Sequence, residues 1–374
     1  MTTPLAVFVP QLGRVSETFI RRHIEDLRPG KVAVVAGRLD ARPRSAWRAP
    51  YPTLFLDAWA LRPGVRLAAR AGFDRLRMRD AAVANFLQRA GVEIVLGEYL
   101  DYLVEFVPLL QRLGLPYIVQ GHGIDVSAGL RKDEAKETYR RFASARAVLT
   151  RCEFHRRRLI GIGLPSGKIH VNPGGVDVPA QPMPRAAEAN QRFLAIGRMV
   201  PKKGPIYLLE AFRLAAAENR NITLDYVGSG ELLPAAAQFV DACGLAARVR
   251  LHGAAAEEVK QRLLEECGVF VQHSITDPET GDEEGLPAAI QEAMAHGMAV
   301  ISTRHSGIPD AVAHGTTGWL VEEGDVSGMA REMLRAAADA NGTRAAGAAG
   351  HARALAQYRW QDEKARLLSF LGDR

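Results

Sequence analysis

The sequence predicts an α/β protein built from two doubly wound, Rossmann-like domains. Strand-like apolar runs alternate with helical stretches along the whole chain, which is typical of parallel sheets wrapped by helices. At 374 residues the chain is long enough for two separate cores. A proline-rich stretch without periodicity, residues 179–190, is interpreted as the linker between them. We therefore expect two domains that face each other across a cleft at the carboxyl ends of their strands.

Apolar runs in both halves of the chain are predicted to be strands. They are short and rich in aliphatic residues, as expected for strands buried on both faces. The runs are Leu5–Pro10, Val32–Ala36, Ile94–Leu96, Tyr117–Gln120, Ala147–Leu149, Phe193–Ile196, Thr223–Val227, Val249–His252, Val269–Gln272 and Ala299–Ser302.

Composition and cysteine usage narrow the class of protein. Apolar residues make up 47% of the chain and charged residues 24%, values typical of a soluble globular protein. No stretch approaches the roughly 20 apolar residues of a membrane span, and the chain begins with a strand-like run rather than a signal peptide. Cys152, Cys243 and Cys267 are scattered, which fits a reducing compartment and argues against a zinc site. We expect a cytoplasmic protein, with peripheral association at the inner face of the cell membrane left open.

The uneven distribution of charge points to an anionic partner for the first half. Residues 1–180 hold 28 Lys and Arg against 17 Asp and Glu, a net charge of +11, whereas the remainder holds 20 against 25, a net charge of −5. Few aromatic residues are available for stacking, so nucleic acid is the least favoured partner. Residues 61–79 carry Arg62, Arg66 and Arg70 at helical spacing with apolar residues between them. This stretch could lie on an anionic membrane surface, or it could be an ordinary solvated helix face.

The stretch from Gly281 to Pro309 carries the clearest functional signal. An acidic loop that contains glycine leads into a short helix, and an apolar strand follows. Glu284 lies in the loop, and Glu292 lies eight positions later inside the helix. Gly285 lies at the helix mouth, where free backbone N–H groups can hold a phosphate or sugar oxygen. Anion-binding donors beside two carboxylates suit a nucleotide-sugar, which presents phosphate oxygens and hydroxyls together.

Two further motifs of the second half lie at predicted strand ends. Gly197 and Arg198 end one strand, and Lys203 follows just before a helix. The two cations could together offset the charge of a diphosphate. Gly228 and Gly230 form a glycine-rich turn after another strand. That turn is a weak signal by itself, because it lacks the third glycine and the downstream acid of a Rossmann fingerprint.

The first half offers two candidate contacts. Gly13, with the hydroxyls of Ser16 and Thr18, lies in the loop after the first strand, where Ser16 could equally cap the next helix. His122 stands between two glycines just past a strand end, so its ring is expected to be uncrowded and to point into the cleft. It could then bond a sugar hydroxyl or carry a proton, unless it is a structural histidine that bonds the backbone.

In order and spacing, these motifs resemble the retaining glycosyltransferases of family four, which have the GT-B fold. The motifs are Gly197-Arg198, Lys203-Gly204, residues 227–231, and Glu284 with Glu292. The resemblance is strong over residues 191–325 and looser before them, where His122 is similar to the histidine of that family's N-terminal domain. Residues 16–20 and 274–287 are most similar to the branch that assembles bacterial polysaccharides, including colanic-acid-type enzymes.

The resemblance implies a role for each matching position. The implied catalytic residues are His122, Glu284, Arg198 and Lys203. The implied donor-binding residues are Gly13, Gly197, Gly228, Gly230, Gly285, Leu286 and Glu292. Arg198 and Lys203 would bind the donor diphosphate, Glu284 would contact the transferred sugar, and Glu292 would hold the ribose hydroxyls. Backbone N–H groups at Gly285 and the next residue would bind phosphate or sugar oxygens.

Several features depart from the family's common pattern, among them residues 306–310, where relatives often carry two glycines and a glutamate. The first loop has one glycine, Gly13, where many relatives have two. The loop from His273 to Glu283 is longer and more acidic than usual, and Leu286 stands where an aromatic residue is common.

The resemblance further implies a retaining hexosyltransferase that needs no metal. A nucleoside diphosphate would leave the anomeric carbon through an oxocarbenium-like transition state, and fixed cations would stabilise the developing negative charge. Attack on the same face would retain the configuration, with the leaving phosphate taking the acceptor proton. The sequence shows no Asp-x-Asp motif, and we expect no cofactor beside the donor. A GT-B sugar-nucleotide epimerase or phosphorylase, and a non-catalytic nucleotide-sugar-binding protein, are the alternatives.

The expected organisation has three parts. Residues 1–180 form an N-terminal acceptor-binding domain, residues 181–357 form a C-terminal nucleotide-sugar-binding domain, and residues 358–374 form a helix that crosses back to the N-terminal domain. The expected reaction moves a sugar from a UDP- or GDP-linked donor to a glycan, lipid-linked or small-molecule acceptor. The expected setting is the synthesis of bacterial polysaccharides or glycoconjugates.

Overall fold

The computed structural model describes residues 4–13, 17–39 and 51–372, which form two compact units. The first unit comprises Met1–Arg151, His155–Asn172 and Glu363–Arg374, and the second comprises Cys152–Phe154 and Pro173–Asp362. Each unit is a parallel sheet connected by helices, which confirms the predicted α/β class and the two doubly wound domains.

Within the described ranges, the sheet of the first unit has seven parallel strands in the order β3-β2-β1-β4-β5-β6-β7. The strands are β1 (Leu5–Leu12), β2 (Val32–Leu39), β3 (Thr53–Phe55), β4 (Ile94–Glu98), β5 (Tyr117–Gln120), β6 (Ala147–Thr150) and β7 (Ile169–Val171). The helices between and after them are α1 (Thr18–Asp26), α2 (Leu56–Ala60), α3 (Pro63–Arg70), α4 (Arg75–Arg89), α5 (Leu100–Leu103), α6 (Val107–Arg112), α7 (Asp133–Tyr139) and α8 (Glu153–Gly161).

The second unit has a six-stranded parallel sheet in the order β10-β9-β8-β11-β12-β13. The strands are β8 (Arg192–Ile196), β9 (Thr223–Val227), β10 (Val249–Gly253), β11 (Val269–Val271), β12 (Ala299–Thr303) and β13 (Gly318–Val321). The helices are α9 (Pro205–Glu218), α10 (Leu233–Ala242), α11 (Glu257–Glu266), α12 (Ala288–Ala295), α13 (Ile308–Ala311), α14 (Val326–Ala338), α15 (Ala340–Gln357) and α16 (Trp360–Leu371).

Both faces of the second sheet are buried. Along β12, Ala299 and Ile301 belong to the apolar core on one face, and Val300 belongs to the core on the other face. This follows from the twofold alternation of side chains along a strand. The strands therefore read as continuous apolar runs in the sequence, and this is the pattern from which they were predicted.

The strand order places the candidate residues at one point in each sheet. Connections run to one side from β1 and to the other from β4, and the same reversal separates β8 from β11. At such a switch point, the loops that follow neighbouring strands diverge and form a crevice. In doubly wound folds, ligands bind in this crevice. The candidate residues on these loops and their neighbours are Gly13, His122, Gly197, Arg198, Lys203, Glu284 and Gly285.

All ten predicted strands are present, with their ends shifted by a few residues. The three strands that were not predicted, β3, β7 and β13, lie at sheet edges. β3 and β7 are three residues long and only partly buried, so they carry little apolar pattern. β13 begins at Gly318, a residue type that weakens a strand assignment.

The proline-rich stretch 179–190 packs within the second unit. Asn190 donates its side-chain N–H groups to carbonyl oxygens at the end of α14. The chain enters the second unit at Pro173, so this stretch lies inside that unit rather than between the two. Arg185 holds it by donating to carbonyl oxygens near the ends of α11 and α12, namely those of Leu264, Glu265, Cys267 and His296.

The last helix, α16, is shared by the two units. It begins at Trp360 in the second unit, and its residues from Glu363 onwards belong to the first. At its end, the Arg28 guanidinium donates to the carbonyl oxygen of Leu371 at 3.2 Å. Among the described helices, none combines the length and the apolar character that a bilayer span requires.

A buried charge cluster holds α16 to the centre of the first unit. His23 on α1 lies between two carboxylates, with its Nδ1 2.6 Å from Glu98 Oε1 and its Nε2 3.4 Å from Glu363 Oε1. Burial alone would lower the pKa of His23, but the two carboxylates outweigh it and raise the pKa to about 9. Burial likewise disfavours the ionised form of Glu363, yet His23 and Arg151 bring its pKa down to about 2. His23 is therefore a buried cation between two anions at neutral pH.

We expect the substitution His23→Gln to destabilise the protein more at about pH 6 than at about pH 10. Because the pKa of His23 is raised above its ordinary 6.5, its charged form contributes stability that is fully present below pH 6.5. That contribution, up to about 3 kcal/mol by linkage, is lost as the pH rises through about 9. The measurement is the difference in the free energy of unfolding in urea between native and variant proteins at the two pH values.

The matched control for this experiment is His170→Gln. The His170 ring packs against Phe370 in the same unit, with centroids 4.8 Å apart, and makes no ion pair among the described residues. A loss of stability from His23→Gln that is equal at both pH values would contradict a charged His23.

Candidate functional site

A carboxylate and two lysines form a buried ion-pair cluster at the switch point of the second sheet. Lys203 Nζ lies 3.0 Å from Glu284 Oε2, and Lys202 Nζ lies 3.5 Å from Glu284 Oε1. The lysines are in the turn between β8 and α9, whereas Glu284 is in the loop between β11 and α12. All three side chains are 11 or 12% exposed. The structure thus brings together Lys203 and Glu284, which the sequence singled out separately.

The cluster keeps Glu284 ionised. Burial would raise the pKa of Glu284, but the charges of Lys202 and Lys203 overcome this effect and hold the pKa well below its usual range. The two lysines differ from each other. Burial lowers the pKa of Lys203 despite the attraction of Glu284, whereas the carboxylates Glu284 and Asp282 outweigh burial at Lys202 and raise its pKa.

Lys202 anchors the acidic loop, a role that the sequence did not reveal. Its Nζ lies 3.0 Å from Asp282 Oδ2 and donates to the carbonyl oxygen of Glu283 at 3.2 Å. Its own carbonyl oxygen accepts from the Ile275 N–H at 2.9 Å. The sequence shows only that lysines occupy both positions 202 and 203. Their different roles become visible once the structure shows which groups each lysine contacts.

A histidine also missed from the sequence fixes the backbone at Glu284. The Glu284 N–H donates to His305 Nε2 at 3.0 Å, so Nε2 carries no proton and Nδ1 must carry it. His305 Nδ1 lies 2.6 Å from Glu323 Oε1, and Glu323 Oε2 accepts from the Thr276 N–H at 2.8 Å. Glu323 therefore holds both ends of the acidic loop. His305 follows the end of β12, the same strand-end signal that singled out His122.

Several polar groups at this point make no hydrogen bond in the described part of the chain. Glu284 Oε1 is buried and accepts no hydrogen bond there. The backbone N–H groups of Gly285 and Leu286, just before α12, likewise donate to no described residue. The Leu286 side chain is 8% exposed and packs in the apolar core, so only its backbone is available to a ligand.

Arg198 adds a third positive charge beside the two lysines. Its side chain is exposed, and its charge acts on both Lys202 and Lys203. Within the described residues its guanidinium makes no ion pair. The site therefore offers one solvent-facing cation next to a buried lysine pair.

The glycines predicted to bind the donor allow two loops of the second unit to pack closely against each other. Gly228 and Gly230 have φ angles of 150° and 159°, and a Cβ at either would overlap the carbonyl oxygen of Gly197 or Met199 respectively. The loop after β9 can therefore close onto the loop after β8 only with glycine at these positions. A Cβ at Gly197 would stand 3.5 Å from the Lys203 side chain, so this glycine lies against the lysine of the cluster.

Glu292 lies apart from the ion pairs of Glu284. It is on α12, its side chain is 28% exposed, and its Oε2 is 3.5 Å from Lys260 Nζ on α11. Lys260 also pairs with Glu257 at 2.9 Å. In the described ranges, Glu292 and Glu284 share no partner.

In the first unit, the structure places Gly13 but not all of its loop. Gly13 follows β1 with a φ of 90°, a left-handed conformation that favours glycine. Of the two hydroxyl residues predicted to face the cleft with Gly13, Ser16 lies outside the described residues and Thr18 begins α1.

The expectation of an uncrowded ring at His122 is wrong. Its side chain is 6% exposed and packs against the rings of Phe19 and Tyr99, whose centroids each lie 4.6 Å from that of the imidazole. Both ring nitrogens are engaged, Nε2 with Glu98 at 2.6 Å and Nδ1 with Arg151 Nε at 3.3 Å. The flanking glycines leave room along the chain, but side chains from α1 and from the end of β4 fill it.

Among the described residues, no group of three or more His, Cys, Asp and Glu side chains is arranged to hold a metal ion. The Glu284 cluster itself consists of a carboxylate, the cations of Lys202, Lys203 and Arg198, and the backbone N–H groups of Gly285 and Leu286.

Curated relatives of the chain include glycosyltransferases of bacterial polysaccharide synthesis. The amylovoran biosynthesis glycosyltransferase AmsK of Erwinia amylovora is 33% identical over 57% of this chain and 53% of that protein. WcaL of Escherichia coli, provisionally described as a colanic acid biosynthesis glycosyltransferase, is 31% identical over 57% of this chain and 53% of that protein. The chain thus spans about half the length of these two relatives. These matches confirm the expected similarity to the polysaccharide branch.

Two further proteins extend the comparison along the chain. The GDP-mannose-dependent α-(1-6)-phosphatidylinositol monomannoside mannosyltransferase of Mycolicibacterium smegmatis is 29% identical over 82% of this chain and 86% of that protein. The crystal structure of Anabaena HepE in complex with UDP superposes with a TM-score of 0.79 at 17% identity and covers both chains completely. That likeness shows the fold alone, which is the predicted GT-B fold.

Two family models divide the chain between them. Residues 16–179 match the model of glycosyltransferase family 4, and residues 190–339 match the model of glycosyl transferases group 1. Together the two models account for well over half of the sequence. The chain therefore belongs to the family-four glycosyltransferases.

Proposed function

We propose that the chain is a retaining, metal-independent hexosyltransferase that moves a sugar from a nucleotide-sugar to an acceptor in bacterial polysaccharide or glycoconjugate synthesis. The observation that carries the proposal is the Glu284 cluster, where an ionised buried carboxylate meets Lys202, Lys203 and an exposed Arg198 at a sheet switch point. Family membership and the polysaccharide glycosyltransferases among the relatives support it.

Donor binding would exchange the partner of Lys203. In the structure, Glu284 neutralises this lysine at 3.0 Å. A diphosphate would compete for Lys203 and would recruit the Arg198 guanidinium, whose planar fork matches phosphate oxygens. Glu284 would keep Lys202 as its counter-ion, and its carboxylate oxygens would accept hydrogen bonds from the sugar hydroxyls.

The same groups would stabilise the transition state. As the glycosidic bond breaks, negative charge develops on the leaving diphosphate and positive charge on the sugar ring. Lys203, Arg198 and the N–H groups of Gly285 and Leu286 would face the first charge, and Glu284 would face the second. Front-face attack would retain the configuration, with the leaving phosphate taking the acceptor proton. The cations would replace a metal ion in this scheme.

The remaining roles follow the same division of the chain. We propose that Glu292 and the loop after β9 hold the nucleoside and that the first unit, with its net positive charge, holds a glycan, lipid-linked or small-molecule acceptor.

UDP and GDP are both retained as donor nucleotides, because HepE was crystallised with UDP and the mycobacterial relative is named for GDP-mannose. A thermal-shift panel of nucleotides and nucleotide-sugars tests this. Stabilisation by one nucleoside diphosphate and its sugars supports the proposal, and no shift with any of them contradicts it.

We also propose that residues 61–79 rest on an anionic membrane surface. No residue of α3 is buried, and the large apolar side chains around it are 63 to 69% exposed, namely those of Leu61, Leu67, Phe73 and Leu76. Arg66 and Arg70 are exposed on the same helix. Exposed apolar side chains interleaved with arginines suit a bilayer interface with acidic headgroups, which attracts the charges and takes up the apolar groups.

The substitutions Glu284→Gln and Lys203→Met should each reduce turnover by at least about 100-fold, the range found when one charge-stabilising donor is lost. Lys203→Met should also weaken binding of the nucleoside diphosphate. Turnover is measured as sugar transfer or donor hydrolysis with the donor that the thermal-shift panel selects. The matched control is Glu279→Gln, an exposed carboxylate of the same loop, which should keep native turnover. Native turnover in either site variant would refute the assignment.

Charge reversal by Arg66→Glu with Arg70→Glu should abolish sedimentation with phosphatidylglycerol-containing vesicles. Replacing Leu67 and Phe73 by serine should weaken binding as well, because their apolar surface no longer enters the interface. The control is Arg220→Glu, an exposed arginine of the second unit. Unchanged vesicle binding in the double arginine variant would remove the membrane proposal.

A further inference from the structure

We propose that Glu98 and Arg151 are positioning residues that hold His122 as a neutral ring with its proton on Nε2, so that His122 serves the transfer reaction as a fixed, uncharged group and transfers no proton. The inference rests on the proposed function and on the catalytic role that the family resemblance implies for His122. The proposal gives Glu98 and Arg151 a role in the reaction. It also excludes proton transfer by His122, one of the two functions that the sequence left open.

The partners of His122 determine where its proton lies. An ionised carboxylate only accepts hydrogen bonds, so the 2.6 Å contact of Nε2 with Glu98 Oε2 requires a proton on Nε2. A guanidinium only donates, so the 3.3 Å contact from Arg151 Nε requires a lone pair on Nδ1. A second proton on the ring would point at the Arg151 donor. One tautomer alone satisfies both contacts.

Aromatic and backbone contacts also hold the histidine. The rings of Phe19 and Tyr99 pack against it, and Tyr99 is itself fixed by donating its hydroxyl to Glu17 at 3.0 Å. The backbone N–H of His122 donates to Asp125 Oδ1 at 2.9 Å. The ring therefore has no alternative position to adopt without breaking several buried contacts.

The surrounding charges balance with a neutral His122. Glu98 is shared with the His23 cation, and Glu363 on α16 accepts from Arg151 at 3.0 Å. These are two carboxylates and two cations, buried together. A proton added to His122 would leave this group with one uncompensated positive charge away from water, which is costly.

The acid–base behaviour of the ring agrees with this geometry. Burial is the main cause that lowers the pKa of His122 to about 4, and the charges of Arg151 and His23 lower it further against the opposing effect of Glu98. A histidine with this pKa stays neutral through the physiological range. The proposed reaction is consistent with that, because the leaving phosphate takes the acceptor proton and no protein base is required.

The direct test is NMR of the native protein labelled with ¹⁵N at histidine, from about pH 5.5 to about pH 8.5. The His122 signals, assigned by their loss in His122→Gln, should remain those of a neutral ring protonated at Nε2 at every pH. They should change in Glu98→Gln, where the acceptor charge is gone. Titration of His122 within this range in the native protein, or a proton on Nδ1, would overturn the proposal whether or not the protein transfers sugar.

The kinetic test separates positioning from donor binding. Glu98→Gln should reduce kcat about 10- to 100-fold, by analogy with groups that orient metal-bound histidines, with the donor KM unchanged within about twofold. Arg151→Gln should act in the same direction. The matched control is Glu25→Gln on α1, whose carboxylate pairs with Arg21 at the surface and whose loss should leave kcat native.

A second variant guards against loss of folding. Glu98→Gln combined with His23→Gln removes one negative and one positive charge, so no lone buried cation remains. A native kcat in this folded double variant, or in Glu98→Gln, would overturn the role of Glu98. If the native protein itself shows no transfer with any nucleotide-sugar, the proposed function fails instead, and the NMR result still decides the state of His122.

Discussion

The candidate site of the second unit depends on the interactions that compensate for burial of the Glu284 carboxylate. A buried carboxylate costs several kcal/mol unless cations and hydrogen bonds replace its hydration. Lys202 and Lys203 supply the charges, and His305 accepts the backbone N–H of the same residue. Glu284 and these partners lie on three separate loops, so the loops must meet at one edge of the sheet. The close approach permitted by Gly228 and Gly230 is part of that requirement.

The first unit meets the same requirement with a different set of groups. His23, Arg151, Glu98 and Glu363 form a balanced buried cluster, and one of its members is carried by the last helix. The folded position of that helix is thereby linked to the loop that carries His122. Buried charge that is paired in this way gives a defined arrangement, because the loss of any one member leaves another uncompensated. Rigidity at His122 follows from electrostatics as much as from packing.

The outcome of sequence-based reasoning depended on how local each signal was. Apolar strands that cross both buried faces were found, whereas β3 and β7 at the sheet edges, with three residues each, were not. Lys203 and Glu284 stood out because each follows a strand in a recognisable motif. Glu98 and Glu363 did not, since their meaning comes from partners far away in the sequence. The prediction of an uncrowded His122 ring failed for the same reason. The side chains that crowd it come from α1 and from the end of β4, which are distant from it in sequence.

We propose that fixed cations and Glu284 support transfer with retention and without a metal ion. The decisive measurement is the anomeric configuration of the product, read by NMR as it forms from the purified protein, an α-linked nucleotide-sugar and the acceptor in the presence of a chelator. We expect an α-linked first product at an undiminished rate. A β-linked first product, or a rate that disappears with the chelator and returns with a divalent cation, would contradict it.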